Sequence, residues 1–111
     1  MPTMICLPEA SEHRLRQLKA IASDVRLTVL EWLKDPRTNF PNQKTEDPAK
    51  IGVCVTLIAA KAEISQPTAS RHLEILKNSD FVKIRKIHSW SFYSRNEDAI
   101  KEFSRWLSIN V

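Results

Sequence analysis

The chain has 111 residues, 42% hydrophobic and 27% charged, with a formal net charge of +4. That length is one domain by size, 1–111, with apolar material for one modest core rather than the composition of a disordered chain. No apolar run approaches the roughly 20 residues of a membrane span, and two cysteines, Cys6 and Cys54, are too few and too distant for a disulfide framework.

Met1 to Ala10 lacks a basic segment followed by a long apolar one, so the cytoplasm is the expected compartment. From Glu12 to Ala22 the spacing of Leu15, Leu18 and Ala22 predicts an amphipathic helix. Asp24 is the expected N-cap of a second helix with Leu27, Leu30 and Leu33 on its inner stripe, ended by Pro36. Residues 35–51 contain Pro36, Pro41 and Pro48 and no apolar period, which predicts a loop well beyond the common length of about 4–6 residues. After Gly52, the only glycine, Val53 to Val55 suit a very short strand and Thr56 to Ala62 a helix.

Glu63, Ile64 and Ser65 then form a short turn before a second helix. Ser65 is a good N-cap, and Pro67 is tolerated in a first turn whose N–H groups lack helical partners. Ala69, Leu73 and Leu76 make the inner stripe, so the pair is a helix-turn-helix candidate. Phe81 to Ile87 and Trp90 to Ser94 alternate and are rich in β-branched and aromatic residues, which predicts a two-stranded hairpin. Its turn, His88-Ser89, lacks the Asn-Gly signal of a tight hairpin. Asn96 caps a last helix with Ile100, Phe103, Trp106 and Leu107 on one stripe. The expected architecture is mainly α with a small β-hairpin: a winged helix-turn-helix of about five helices and a two-stranded wing.

Charge is unevenly spread. Residues 61–95 hold seven Lys/Arg against three Asp/Glu, whereas residues 1–60 hold eight against seven and residues 96–111 two against three. A localised basic block is the footprint of a polyanion partner, because cations neutralise phosphates and release counterions. A solvated basic face with no partner would show the same pattern.

Leu18 to Leu27, with its Asp-x-Arg-Leu junction at Asp24-Val25-Arg26-Leu27, together with Ser65-Gln66-Pro67-Thr68-Ala69-Ser70-Arg71-His72-Leu73 and the aromatic strand Trp90 to Tyr93, resembles the ArsR-type winged-helix repressors. The likeness spans roughly residues 15–107, and the nonapeptide is its most specific part. It implies a repressor that binds double-stranded DNA as a homodimer, at an imperfect palindrome with half-sites one or two turns apart. Dimerisation in the family uses the first and last helices, a role that Leu15, Leu18, Phe103, Trp106 and Leu107 fit here, although each also suits an intradomain core.

A recognition helix presents its first turns to base edges in the major groove. Ser65, Gln66, Thr68, Ser70 and Arg71 are therefore the candidate DNA contacts of the helix; Gln66, Ser70 and Arg71 lead, since amides and guanidinium groups match base edges. His72 is expected to pack or cap. On the hairpin, Lys83, Arg85, Lys86 and His88 are candidates for phosphates, which position a protein without specifying sequence.

No metal site and no cofactor are expected. Cys54 corresponds to the first cysteine of the family's metal box, but Thr56 stands at the second, and the last helix has neither His nor Cys. Cys6 and Cys54 could still serve a thiol- or metal-responsive switch, while a small buried apolar Cys54 is the simpler reading. Enzyme motifs are missing: there is no Gly-rich phosphate loop, no His-Glu-x-x-His and no Gly-x-Ser-x-Gly. The alternative from another class is a winged-helix module that binds protein, with Phe40 of the long loop as its anchor.

Overall fold

A computed structural model describes residues 9–111. Six helices and three strands occur among them, in the order α1 (Glu9–Ile21), α2 (Asp24–Lys34), α3 (Pro36–Asn39), β1 (Val53–Cys54), α4 (Val55–Ala62), α5 (Gln66–Asn78), β2 (Val82–Ile87), β3 (Trp90–Arg95) and α6 (Glu97–Asn110). The stripes of α2, α4, α5 and α6 meet in one core, where Ala20, Val29, Leu33, Ile58, Leu73, Leu76, Phe81 and Phe103 are all at most 5% exposed. The inner face of α1 differs from the expected one: Gln17 and Ala20 are buried and Leu18 is half-buried, whereas Leu15 and Ala22, like Leu27 of α2, are exposed, because the helix turns its polar-flanked Gln17 side to the core. The helix-turn-helix is α4 and α5, and the wing is β2 and β3.

The junction between α1 and α2 is capped by Ser23 rather than Asp24. Ser23 has the extended backbone a cap requires, and its Oγ accepts from the Arg26 N–H at 3.2 Å. Asp24 lies one residue inside the helix, where a carboxylate favours the positive end of the helix dipole.

The long loop also differs from expectation. Pro36 opens a one-turn helix, as proline can at a first helical position, and Phe40 then buries itself at 1% exposure, edge-on to Trp32 with ring centroids 6.2 Å apart. Arg37 pairs with Asp47 at 2.8 Å across the loop, which lowers the Asp47 pKa through that hydrogen bond. Gln43 is buried, and its amide ties the loop to the sheet. Its Nε2 donates to the Glu46 and Gly52 carbonyls at 3.0 and 2.8 Å, and its Oε1 accepts from the Cys54 N–H at 2.8 Å. One side chain thus meets the hydrogen-bonding needs of a β1 N–H and of the carbonyl just before the strand.

The wing gains a third strand. The sheet order is β1-β3-β2, all antiparallel, with Val53 opposite Tyr93 and Cys54 opposite Phe92. Gly52 makes the approach possible: its φ is +117°, and a Cβ there would lie 2.8 Å from the Tyr93 carbonyl oxygen. The hairpin turn is closed by His88, which takes a left-handed φ of 56°, a conformation that histidine tolerates better than most residues.

Replacing Gln43 with leucine keeps the bulk but leaves the Gly52 carbonyl and Cys54 N–H without partners. We expect a loss of about 1–3 kcal/mol for each group left unsatisfied, seen as a lower urea midpoint. An unchanged midpoint would show that the amide does not hold the loop.

Candidate nucleic-acid interface

The turn between α4 and α5 is built from local chemistry. Glu63 ends α4 in the left-handed region (φ 57°), and its N–H reaches back to the Ala59 and Ala60 carbonyls. Ser65 then caps α5: its Oγ accepts from the Thr68 N–H at 3.2 Å and bonds the Thr68 hydroxyl at 2.8 Å. These two hydroxyls are therefore engaged in the cap, and Thr68 is half-buried. Both stood among the candidate DNA contacts; the structure gives them first a folding role.

Along α5, Ala69, Leu73 and Leu76 are at most 1% exposed, so Gln66, Ser70 and Arg71 fall on the solvent side. Thr56, at the start of α4, donates to Gln66 Oε1 at 3.4 Å and steadies that side chain. Nothing at a ten-residue spacing in the sequence pointed to this pair. The wing follows through a tight C-cap. Asp80 takes a left-handed φ of 68°, the Phe81 N–H reaches the Leu76 carbonyl at 2.9 Å, and the buried Ser79 hydroxyl donates to the Ile75 and Leu76 carbonyls. Gln17 of α1 donates to the Ser79 carbonyl at 3.4 Å.

Lys83, Arg85, Lys86 and His88 are all exposed on the wing. Among the described residues, Lys83, Arg85, Lys86 and Arg71 form no ion pair, in contrast to Arg14, Arg37 and Arg95. No Asp or Glu occurs from Phe81 to Asn96. Arg71 and the wing cations thus remain available to an anion.

Arg26 is the tie that sequence reasoning missed. Its guanidinium donates to the Ala20 and Lys19 carbonyls at the end of α1 and, through Nη1, to His72 Nδ1 of α5 at 2.9 Å. The bond requires a neutral imidazole accepting at Nδ1. Burial is the main reason that the His72 pKa falls below its ordinary value, with the Arg26 and Arg71 charges adding to it and Asp24 opposing. His72 therefore packs and braces, as expected, and the Asp-x-Arg-Leu junction acquires a physical purpose.

The five residues assigned to dimerisation separate. Phe103 belongs to the core of its own chain, edge-on to Phe81 at 5.2 Å and stacked on Trp106 at 6.0 Å. Leu18, Trp106 and Leu107 are half-buried against that core, while Leu15 is 49% exposed. Arg14 holds α1 to α6 by a two-pronged pair with Glu102 and lies 5.0 Å over the Trp106 ring. Leu15 and Ile75 line an open cleft rimmed by Glu12, Arg16, Lys19 and Arg26.

Cys54 is buried at 4% exposure, and Cys6 lies outside the described residues. Among the described residues, no three of His, Cys, Asp and Glu come together as metal ligands. No described helix is long and apolar enough to cross a membrane.

Comparison with known proteins converges on this geometry. Residues 53–83 match the model of the arsR family of bacterial regulatory proteins. The uncharacterized HTH-type transcriptional regulator YbzH of Bacillus subtilis is 36% identical over 93 residues, covering 84% of this chain and 93% of YbzH. MJ1325 of Methanocaldococcus jannaschii, also described as an uncharacterized HTH-type transcriptional regulator, is 44% identical over 94 residues, 85% of this chain and 90% of its own. Among solved structures, the homodimeric winged helix-turn-helix DNA-binding domain of Mb0332 from Mycobacterium bovis superposes with a TM-score of 0.64 at 22% identity, covering 96% of this chain and 89% of that one. That likeness shows the fold, a winged helix-turn-helix.

The lowered His72 pKa has a definite sign. The unfolded chain takes up the proton first, so stability is full above the ordinary value of 6.5 and falls as pH drops below it, levelling off under the folded-state pKa. His72→Asn keeps a side-chain acceptor but does not titrate. Its urea-unfolding stability should change less between about pH 8 and pH 5 than that of the wild type. Equal pH slopes would show that His72 titrates alike in both states.

Proposed function

Because this chain belongs to the arsR family of bacterial regulatory proteins, we propose that it is a cytoplasmic repressor that binds a palindromic operator as a homodimer. The observation that carries the reading is the set of cations on α5 and the wing, Arg71, Lys83, Arg85 and Lys86, that form no ion pair among the described residues, in a stretch where the wing holds no acid. In this reading α5 enters the major groove. Gln66 and Arg71 meet base edges, Ser70 meets a base edge or the backbone, and Ser65 and Thr68 hold the helix start in place. Lys83, Arg85, Lys86 and His88 meet phosphates, which set register and orientation.

A homodimer is supported by the Mb0332 domain, described as homodimeric, and by Leu15, which stays half exposed beside Ile75 on a face that the described residues leave open. Two copies related by a two-fold axis present two α5 helices, which fits a palindrome. The rival, a protein-docking module anchored by Phe40, loses its anchor because that ring is buried against Trp32. A sensor built on Cys6 and Cys54 gains no support from a Cys54 thiol that is 4% exposed.

Gln66→Ala and Arg71→Ala should each lose about 1–3 kcal/mol of operator affinity per base contact removed, with the unfolding midpoint unchanged. Lys86→Ala should weaken operator and random duplex alike and lower the salt slope by about one. DNA binding indifferent to all three changes would contradict the assignment of α5 and the wing.

A further inference from the structure

The wing tip carries a feature that phosphate binding does not need. Trp90, the first residue of β3, is 46% exposed, and it pairs directly with Ile87, the last residue of β2. A hairpin end that only meets solvent and phosphate would favour polar residues here, since apolar surface left in water forgoes the gain of burial. The cross-strand partner covers only part of the indole, so pairing within the hairpin does not account for it.

Side chains alternate along the two strands. Lys83, Arg85 and Ile87 share one face with Ser94, Phe92 and Trp90, while Lys86 and Ser91 share the other. The apolar tip therefore has Arg85 behind it on its own face, Lys86 on the opposite face and His88 in the turn. All three are exposed, and neither Arg85 nor Lys86 has a carboxylate partner among the described residues. An aromatic tip with cations on both faces fits a slot whose base steps an apolar side chain can enter and whose two walls are anionic. The minor groove of duplex DNA, about 6 Å wide between two phosphate rows, is such a slot. The side chains at the tip, and not the two-stranded ribbon behind them, are narrow enough to enter it.

We propose that Trp90 and Ile87 form an apolar wedge that enters the operator's minor groove beside the major groove read by α5, while Arg85 and Lys86 hold the flanking phosphates. This inference rests on the DNA-binding reading above. Apolar wedges of this kind partly unstack a base step and kink the duplex, and aromatic faces stack on bases with little sequence preference. The wing then contributes specificity through deformability, favouring flexible pyrimidine–purine steps where it lands.

The test compares wild type, Trp90→Ala, Trp90→Phe and Lys86→Ala on one duplex across a salt series, with end-labelled DNA reporting the bend. Trp90→Ala should bind roughly tenfold more weakly with the wild-type salt slope and a smaller bend, and Trp90→Phe should recover most of both. Lys86→Ala should lower the slope and keep the bend. The chain has three tryptophans, so protein labelled with 5-fluorotryptophan should give three fluorine resonances. The one absent from Trp90→Phe should shift on adding duplex to the wild type, which separates contact from damage to the hairpin. If wild type binds and bends DNA but Trp90→Ala matches it, or the Trp90 resonance stays still in the complex, the wedge is wrong and the DNA reading stands. If wild type binds no duplex, both fall.

Discussion

The constraint from which the interface follows is that α5 must bury one stripe and can bury only one. Ala69, Leu73 and Leu76 lie at or below 1% exposure, and fully burying one leucine contributes about 1.5–3 kcal/mol. With that stripe fixed against the core, helical geometry leaves no freedom about where Gln66, Ser70 and Arg71 point. Rotation about the helix axis is resisted by the core below, by the Ser65 cap at one end and by the Ser79–Asp80–Phe81 turn at the other. The Arg26–His72 bond adds a polar tether from α2 and the end of α1. Recognition by a helix depends on such rigidity, because hydrogen bonds to base edges tolerate little rotational error.

The same economy extends to the wing. Phe81 closes the α5 cap and packs against Phe103, so the start of β2 is fixed by the core that fixes α5. At the other side of the sheet, β1 is only two residues long and depends on two supports, the close approach at Gly52 and the Gln43 amide. The loop that carries Gln43 is thereby part of the sheet's architecture, covering an edge whose backbone groups would otherwise lack partners. Charge is then left over where it can act. Arg14, Arg37 and Arg95 are consumed by internal pairs, while Arg71 of α5 and Lys83, Arg85 and Lys86 of the wing form none among the described residues.

Local chemistry was legible in the sequence, and long-range chemistry was not. Ser65, Pro67 and Asn96 announced their helix starts because a cap is a contact between residues three apart. The wing strands showed in their period-two alternation, and the α5 stripe in its helical period. The third strand was legible only as a fragment, since two residues cannot display a period and their partners, Phe92 and Tyr93, lie far along the chain. Phe40, Gln43 and Arg37 gave no sign of their packing: a loop without periodicity can still be ordered by one buried ring and one buried amide. Among the candidate contacts, Gln66, Ser70, Arg71 and the wing cations emerge exposed, whereas Ser65 and Thr68 are occupied by the cap. Phe103 could not be assigned to core or partner from its stripe alone, because both need the same residue at the same spacing; its contacts with Phe81 and Trp106 place it in the core.

The most direct measurement of the central claim is a titration of the purified protein with duplex from its own upstream region, across a salt series, beside a random duplex of equal length. A dimeric specific regulator predicts tight binding to its own duplex, much weaker binding to the random one, two subunits per site, and affinity that falls steeply and linearly on a log–log salt plot. Failure to bind either duplex, even at low salt, would contradict it.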